Sequence, residues 1–135
     1  MFASVFGSKK MDVFVNIYDL QESQSILNSM GLGTHHSGVQ IGKYEYFFGS
    51  SGVARAEPRR QEYGTFKERV EFGKLEEGGQ VRVNQVVAEL RKTFPGEKYN
   101  LAHCNCNHFS TALIAALFPG REGELPDWLN RAARL

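Results

Sequence analysis

Residues 99–110 read YNLAHCNCNHFS and hold both cysteines of the chain and two of its four histidines. The reading of this stretch decides the rest: it is a metal site, a redox pair, or a thiol mounted at the head of a helix. Downstream, Phe109, Leu113, Ala116 and Leu117 recur on one helical face, and Cys106 lies three residues before Phe109 on the same stripe. Asn105 stands just ahead, where a side-chain oxygen can accept from the unpaired N–H groups of a first turn. The spacing predicts a buried helix that begins at Cys106 with Asn105 as its cap.

That placement has a chemical meaning. The partial positive charge at a helix N-terminus favours thiolate over thiol and lowers a cysteine pKa from its free value of about 8.5. The same N–H groups can stabilise an oxyanion. Cys104 has neither advantage and reads as a spectator. A cysteine heading an apolar helix is also what a small buried hydrophobe looks like, so pattern alone leaves both readings open.

Zinc is a sharper competitor, since His103, Cys104, Cys106, His108 and the His35-His36 pair offer enough ligands for a tetrahedral site. The spacing argues against it, because C-x-C at a helix start points its two side chains apart. No metal is expected. A redox dithiol would want C-x-x-C, and cysteines at i and i+2 are too close for an unstrained disulfide, so both are expected as thiols in a reducing compartment.

With 135 residues the chain is expected to form one domain, residues 1–135, of which 1–11 read as a flexible N-terminal extension. Sixteen Lys and Arg against fifteen Asp and Glu leave a net charge of +1, which does not call for nucleic acid as a partner. Arg55, Arg59 and Arg60 read as a solvated loop. The opening MFASVFGSKK lacks the order of a secretory signal, and no apolar run reaches the roughly eighteen residues of a membrane span. A cytoplasmic protein, also nuclear, is the expectation.

Outward from the dense stretch, DVFVNIYDL alternates Val13, Val15 and Ile17 and predicts a strand. A short helical turn with Ile26, Leu27 and Met30 follows, ended by Gly31 and Gly33. HHSGVQI and YEYFFG, separated by Gly42-Lys43, predict a tight hairpin. The segment GSSGVARAEPRRQEYG reads as a surface connection. TFKERVEFG alternates Phe66, Glu68, Val70 and Phe72 as a further strand. Val83, Val86, Val87, Leu90 and Phe94 fall at helical spacing, with Asn84 as candidate cap and Pro95-Gly96 as the stop. Antiparallel strands with segregated helices make the fold class α+β.

A thiol nucleophile needs a base, and the remaining histidines lie on the first strand of the hairpin. Val39 and Ile41 mark its core face, so His36, Gly38 and Gln40 point the other way, and His36 is the candidate for a cleft wall. Gly38 and the glycines of FFGSSG would let a thin substrate tail pass close to the backbone. Tyr44, Tyr46 and Phe48 share one face and read as core, and Trp128 behind Pro126 is expected to pin a last helix.

Taken together, VNIYDL, GLGTHHSGVQIGKYEYFFG, FKERVEFG, YNLAHCNCNHFSTAL and LPDWLNRAAR resemble the PPPDE peptidase domain, the family of the DeSI-type desumoylating isopeptidases. The resemblance runs in order from about Val13 to Arg134 and is most specific in NCNHFS and in the G-x-x-H-[ST]-G-[VI] stretch. It implies a permuted papain-like fold, with a small antiparallel sheet or barrel packed against helices, the histidine preceding the cysteine, and a Cys-His dyad without an obligatory third acid. The family's cysteine falls on Cys106 and its histidine on His36. His35 and Cys104 are not part of the family pattern. The chain is read as ending at the LPDWLNRAAR segment, without the longer tail of some relatives.

The implied activity is hydrolysis of isopeptide bonds joining a ubiquitin-like modifier, of the SUMO type or ubiquitin, to target lysines, with no cofactor. Conjugates of such modifiers are the expected partners. Asn105 and Asn107 are oxyanion or orienting candidates, and Gln40 is a candidate to orient the His36 ring. Some members of the family dimerise around the cleft, so a homodimer is carried as an expectation, although no interface stripe stands out. Two other classes remain: a thiol-dependent S-acyl thioesterase or an acyltransferase of the lecithin-retinol type, and a non-catalytic modifier-binding module.

Overall fold

The computed structural model describes residues 10–19, 35–59, 65–100, 105–127 and 129. Five strands, β1 (Met11–Asp19), β2 (His35–Ile41), β3 (Tyr44–Gly49), β4 (Gly52–Ala56) and β5 (Thr65–Leu75), form one sheet in the order β4-β3-β2-β1-β5. Every pairing is antiparallel. Two helices follow, α1 (Gly79–Thr93) and α2 (Cys106–Leu117), with short 3-10 turns at Gly96–Lys98 and Glu122–Glu124. The architecture is α+β, and among the described residues the sheet is open rather than a barrel.

β1 and β2 lie between the other strands and are covered on both faces, which goes beyond simple alternation. Val13, Val15, Ile17, Val39 and Ile41 are fully buried on one face, but Asn16, Tyr18, His36 and Gly38 are buried on the other. The register sets Val15 opposite Val39, Asn16 opposite Gly38, Ile17 opposite Ser37 and Tyr18 opposite His36. β1 begins at Met11, so that residue belongs to the sheet and not to an extension. The hairpin between β2 and β3 turns at Gly42-Lys43 as expected, with Gly42 at φ 60.

Three expectations need correction. The GSSGVARAEP segment contains a strand, β4, which pairs with β3 from Glu45–Ala56 to Gly49–Gly52. Its Arg55 stays exposed and lies 4.0 Å over the Tyr44 ring, so a short edge strand with one outward cation passed for a loop. β5 is not a one-face stripe, because register shifts against Val13/Phe14 and Ile17/Tyr18 leave Phe72 and Lys67 without cross-strand partners. Each shift flips the facing side, so Val70 meets Val15 while Phe66 meets Tyr18. α1 starts at Gly79 after Gly78 in the left-handed region (φ 84), five residues before Asn84. Asn84 lies inside the helix and accepts from Gln80 Nε2 at 2.8 Å.

The helices cover the Val15–Val39 face, α2 against β2 and β3 and α1 against α2 and β4. Val83, Val87, Phe109, Leu113, Ile114 and Leu117 are buried there. Phe94, closing α1 before Pro95, packs its ring 5.2 Å from Phe48 and 5.6 Å from Phe109. Tyr46 and Phe48 belong to this core, but Tyr44 is 37% exposed. The turn of Gly49–Gly52 is not open to a substrate tail, because Gly96 occupies the space against Gly52 and the Ser50 carbonyl. No described helix is long and apolar enough to cross a membrane. The turn expected around Ile26, the Gly31 and Gly33 stop, His103, Cys104 and Trp128 lie outside the described residues.

Candidate active site

α2 begins where the sequence places it. Asn105 has extended backbone (φ −122, ψ −176), and its Oδ1 accepts from Asn107 N at 2.9 Å and from His108 N at 3.3 Å. The His108 ring returns the bond, Nδ1 accepting from Asn105 N at 3.0 Å. This is a capping box with histidine in the place that Glu or Gln usually takes. It requires Nδ1 to be unprotonated, which puts the proton of a neutral ring on Nε2. Cys106 is therefore the first helical residue, and the Asn105 side chain leaves its N–H aside.

The thiol is 2% exposed and His36 is equally buried. Burial pushes the Cys106 thiol up, since a sulfur anion is poorly solvated there. The charge of His36, its side-chain hydrogen bond to the sulfur, and the backbone N–H groups of Ser37 and Asn107 outweigh burial and hold the thiol below its ordinary value of 9.0. Two residues 70 positions apart in sequence are thus in direct contact. The His36 ring also packs against Tyr18, with ring centroids 5.5 Å apart, and against Phe47 at 6.4 Å. The base candidate is enclosed, and does not line an open cleft wall.

Asn107 joins helix and strand. Its Oδ1 accepts from Ser37 Oγ at 2.6 Å and its Nδ2 donates to the His35 carbonyl at 3.1 Å. Ser37 Oγ is also 2.9 Å from Ser110 Oγ. Gln40 is not on the His36 ring; its amide oxygen accepts from Asn16 Nδ2 at 3.1 Å. His35 faces Asp19, with Nδ1 3.0 Å from Oδ1.

Behind His36 lies a buried polar cluster centred on Glu45, which is fully enclosed. Tyr18 donates its hydroxyl to this carboxylate, and Asn16 Nδ2 and the backbone N–H of Arg59 also donate to it. Arg59 is a non-glycine residue at φ 62, and this bond holds its strained backbone. Burial, then the bond to Glu45, raises the Tyr18 phenol far above its ordinary range.

Sequence reasoning missed Ser37, Ser110, Tyr18 and Glu45. Only Glu45 carried a signal, as a carboxylate alternating with Tyr44 and Tyr46 in a strand expected to be half buried.

The family model for the "PPPDE putative peptidase domain" matches residues 11–135. The chain is 32% identical to the desumoylating isopeptidase 1 homolog of Caenorhabditis elegans, over 94% of this chain and 40% of that protein. It is 31% identical to a DeSI-like protein of Arabidopsis thaliana, over 91% of this chain and 55% of the relative. It is 30% identical to the desumoylating isopeptidase 1 of Homo sapiens, over 84% and 70% respectively. The chain spans about half the length of the first two. A match across nearly all of its length, embracing both the β2 histidine and the head of α2, makes the chain a member of the PPPDE peptidase domain family.

Proposed function

We propose that this chain is a cysteine isopeptidase that detaches a ubiquitin-like modifier of the SUMO type from target lysines, with Cys106 as nucleophile and His36 as general base and acid. One observation carries the reading: a buried thiol at a helix N-terminus, bonded to an imidazole that draws its pKa down against the effect of burial. The names of the relatives supply the substrate class. His36 lies before Cys106 along the chain, the order of a permuted papain-like enzyme.

His36 takes the Cys106 proton, and the thiolate attacks the carbonyl carbon of the modifier's C-terminal residue. The carbonyl electron pair moves to oxygen, where the Cys106 N–H is aimed by the start of α2. Asn105 serves through its cap. Collapse breaks the C–N bond, and His36 hands its proton to the departing lysine amine. Water, deprotonated by His36, then attacks the thioester and frees the modifier carboxylate and the thiol.

The test is cleavage of SUMO and ubiquitin conjugates, alongside capture by a modifier carrying a C-terminal electrophile. Turnover and capture are expected with the SUMO conjugate, lost in Cys106→Ala and in His36→Ala and kept in Cys104→Ser. Capture by fatty-acyl probes alone would move the assignment to a thioesterase or acyltransferase. Binding of modifier without capture would make it a recognition module.

A further inference from the structure

The base candidate sits on a strand and the nucleophile candidate on a helix, so something must fix one against the other. The contact between them is a single side-chain bond, whereas the segments that carry them are tied by a separate device. Asn107 follows Cys106 directly, and its amide reaches both neighbours of His36: the His35 carbonyl on one side and the Ser37 hydroxyl on the other. All three polar side chains of this bridge are buried, Ser37 and Ser110 completely and Asn107 to 3% exposure.

The protons of the bridge can be assigned. The His35 carbonyl only accepts, so it must face the amide nitrogen of Asn107, which turns the amide oxygen to Ser37. Ser37 has one hydroxyl proton, given to Asn107 Oδ1 at 2.6 Å. Its 2.9 Å contact with Ser110 is then a bond that Ser37 accepts. Each donor has one acceptor, and the chain Ser110–Ser37–Asn107–His35 runs in a single direction.

We propose that Asn107, Ser37 and Ser110 are positioning residues that set the reach between His36 and Cys106; this rests on the reading of Cys106 and His36 as the reacting pair. The amide nitrogen of Asn107 is committed to the His35 carbonyl and its oxygen accepts from Ser37 while lying 3.9 Å from the Cys106 sulfur, so the amide is a brace and not an oxyanion donor. The brace also fixes where the Ser37 N–H stands against the sulfur. If it is cut, helix and strand part slightly, and the sulfur keeps its burial while losing the groups that favour its anion.

The experiment follows the rate of alkylation of Cys106 by a small haloacetamide against pH, in a Cys104→Ser background, for Ser37→Ala, Asn107→Ala and the double variant. Thermal melting is recorded in parallel. Expected is an upward displacement of the midpoint by about one pH unit in either single variant, with about tenfold slower alkylation below the midpoint. The double variant should add little to either, since both cut one brace. Should Asn107→Ala not fold, Asn107→Leu keeps the volume without adding charge beside the sulfur, loses both bonds to the strand and must still displace the midpoint. Folded variants that melt lower but titrate like the parent would reduce the bridge to ordinary packing and overturn the proposal. Alkylation needs no modifier, so a parent that alkylates with a lowered midpoint but cleaves no conjugate sinks the isopeptidase reading and leaves the brace standing.

Discussion

Tyr18 and Glu45 meet through both carboxylate oxygens, the phenol oxygen lying 2.8 Å from one and 2.6 Å from the other in a site closed to solvent. A buried carboxylate keeps such a place only with its donors in position. Tyr18→Phe removes one donor and leaves the ring that packs on His36. The expected loss is about 1.5–3 kcal/mol, the range for hydrogen bonds to charged groups, measured by denaturant unfolding.

The same pair gives an alkaline signature. The Tyr18 phenol is raised in the folded state from an ordinary value of 10.0, so the unfolded chain ionises first as pH climbs. Its contribution is complete below about pH 10 and is lost above it. The denaturant midpoint of the parent is expected to fall more steeply above that pH than that of Tyr18→Phe. Equal slopes would contradict the assignment.

Cys106 has the opposite sign. Its folded value lies below the ordinary 9.0, so the thiolate contributes stability above that value, lost as pH falls through the folded midpoint. Alkylation of Cys106 is expected to titrate below pH 9.0 in the parent. In His36→Ala burial is no longer opposed by the imidazole, and the midpoint should climb. A midpoint indifferent to His36 would separate the two residues.

Asn105 and His108 close the capping box together. Asn105→Ala should cost about 0.5–2 kcal/mol, and Asn105→Asp should retain most of the cap. Because each half of the box orients the other, Asn105→Ala and His108→Ala combined should cost less than their sum. Melting of the four chains tests this, with additivity as the refuting result.

Gly96 stands where no side chain fits. A Cβ there would run into the Ser50 carbonyl oxygen and lie 2.8 Å from Gly52 N and 2.9 Å from Ser51 C, all of them backbone. Gly96→Ala should destabilise by about 1–3 kcal/mol, read from thermal unfolding. A neutral substitution would show that the turn before β4 moves freely.

The parts legible in the sequence are those with a local signature. Asn105 before an apolar stripe announces a helix start, and Val13, Val15 and Ile17 announce a strand, because cap chemistry and side-chain alternation are encoded within a few residues. Asn84 misled for the same reason: a good capping residue says nothing of a helix already begun at Gly79 by the geometry of Gly78. β4 was hidden because its pairing to β3 and the burial of Val53 are tertiary. The two shifts in β5 depend on a partner strand about fifty residues away. Ser37 and Ser110 were invisible for a similar reason, since a small hydroxyl acquires meaning only when the opposite element supplies its partner.

The span between His36 and Cys106 divides the candidate pair between a strand and a helix. The last strand ends at Leu75 and α2 opens at Cys106, so the sulfur meets the groups that favour its anion only where helix and sheet come together. Parting of α2 from β2 would therefore strip the sulfur of the groups that favour its anion while the sheet itself still stands.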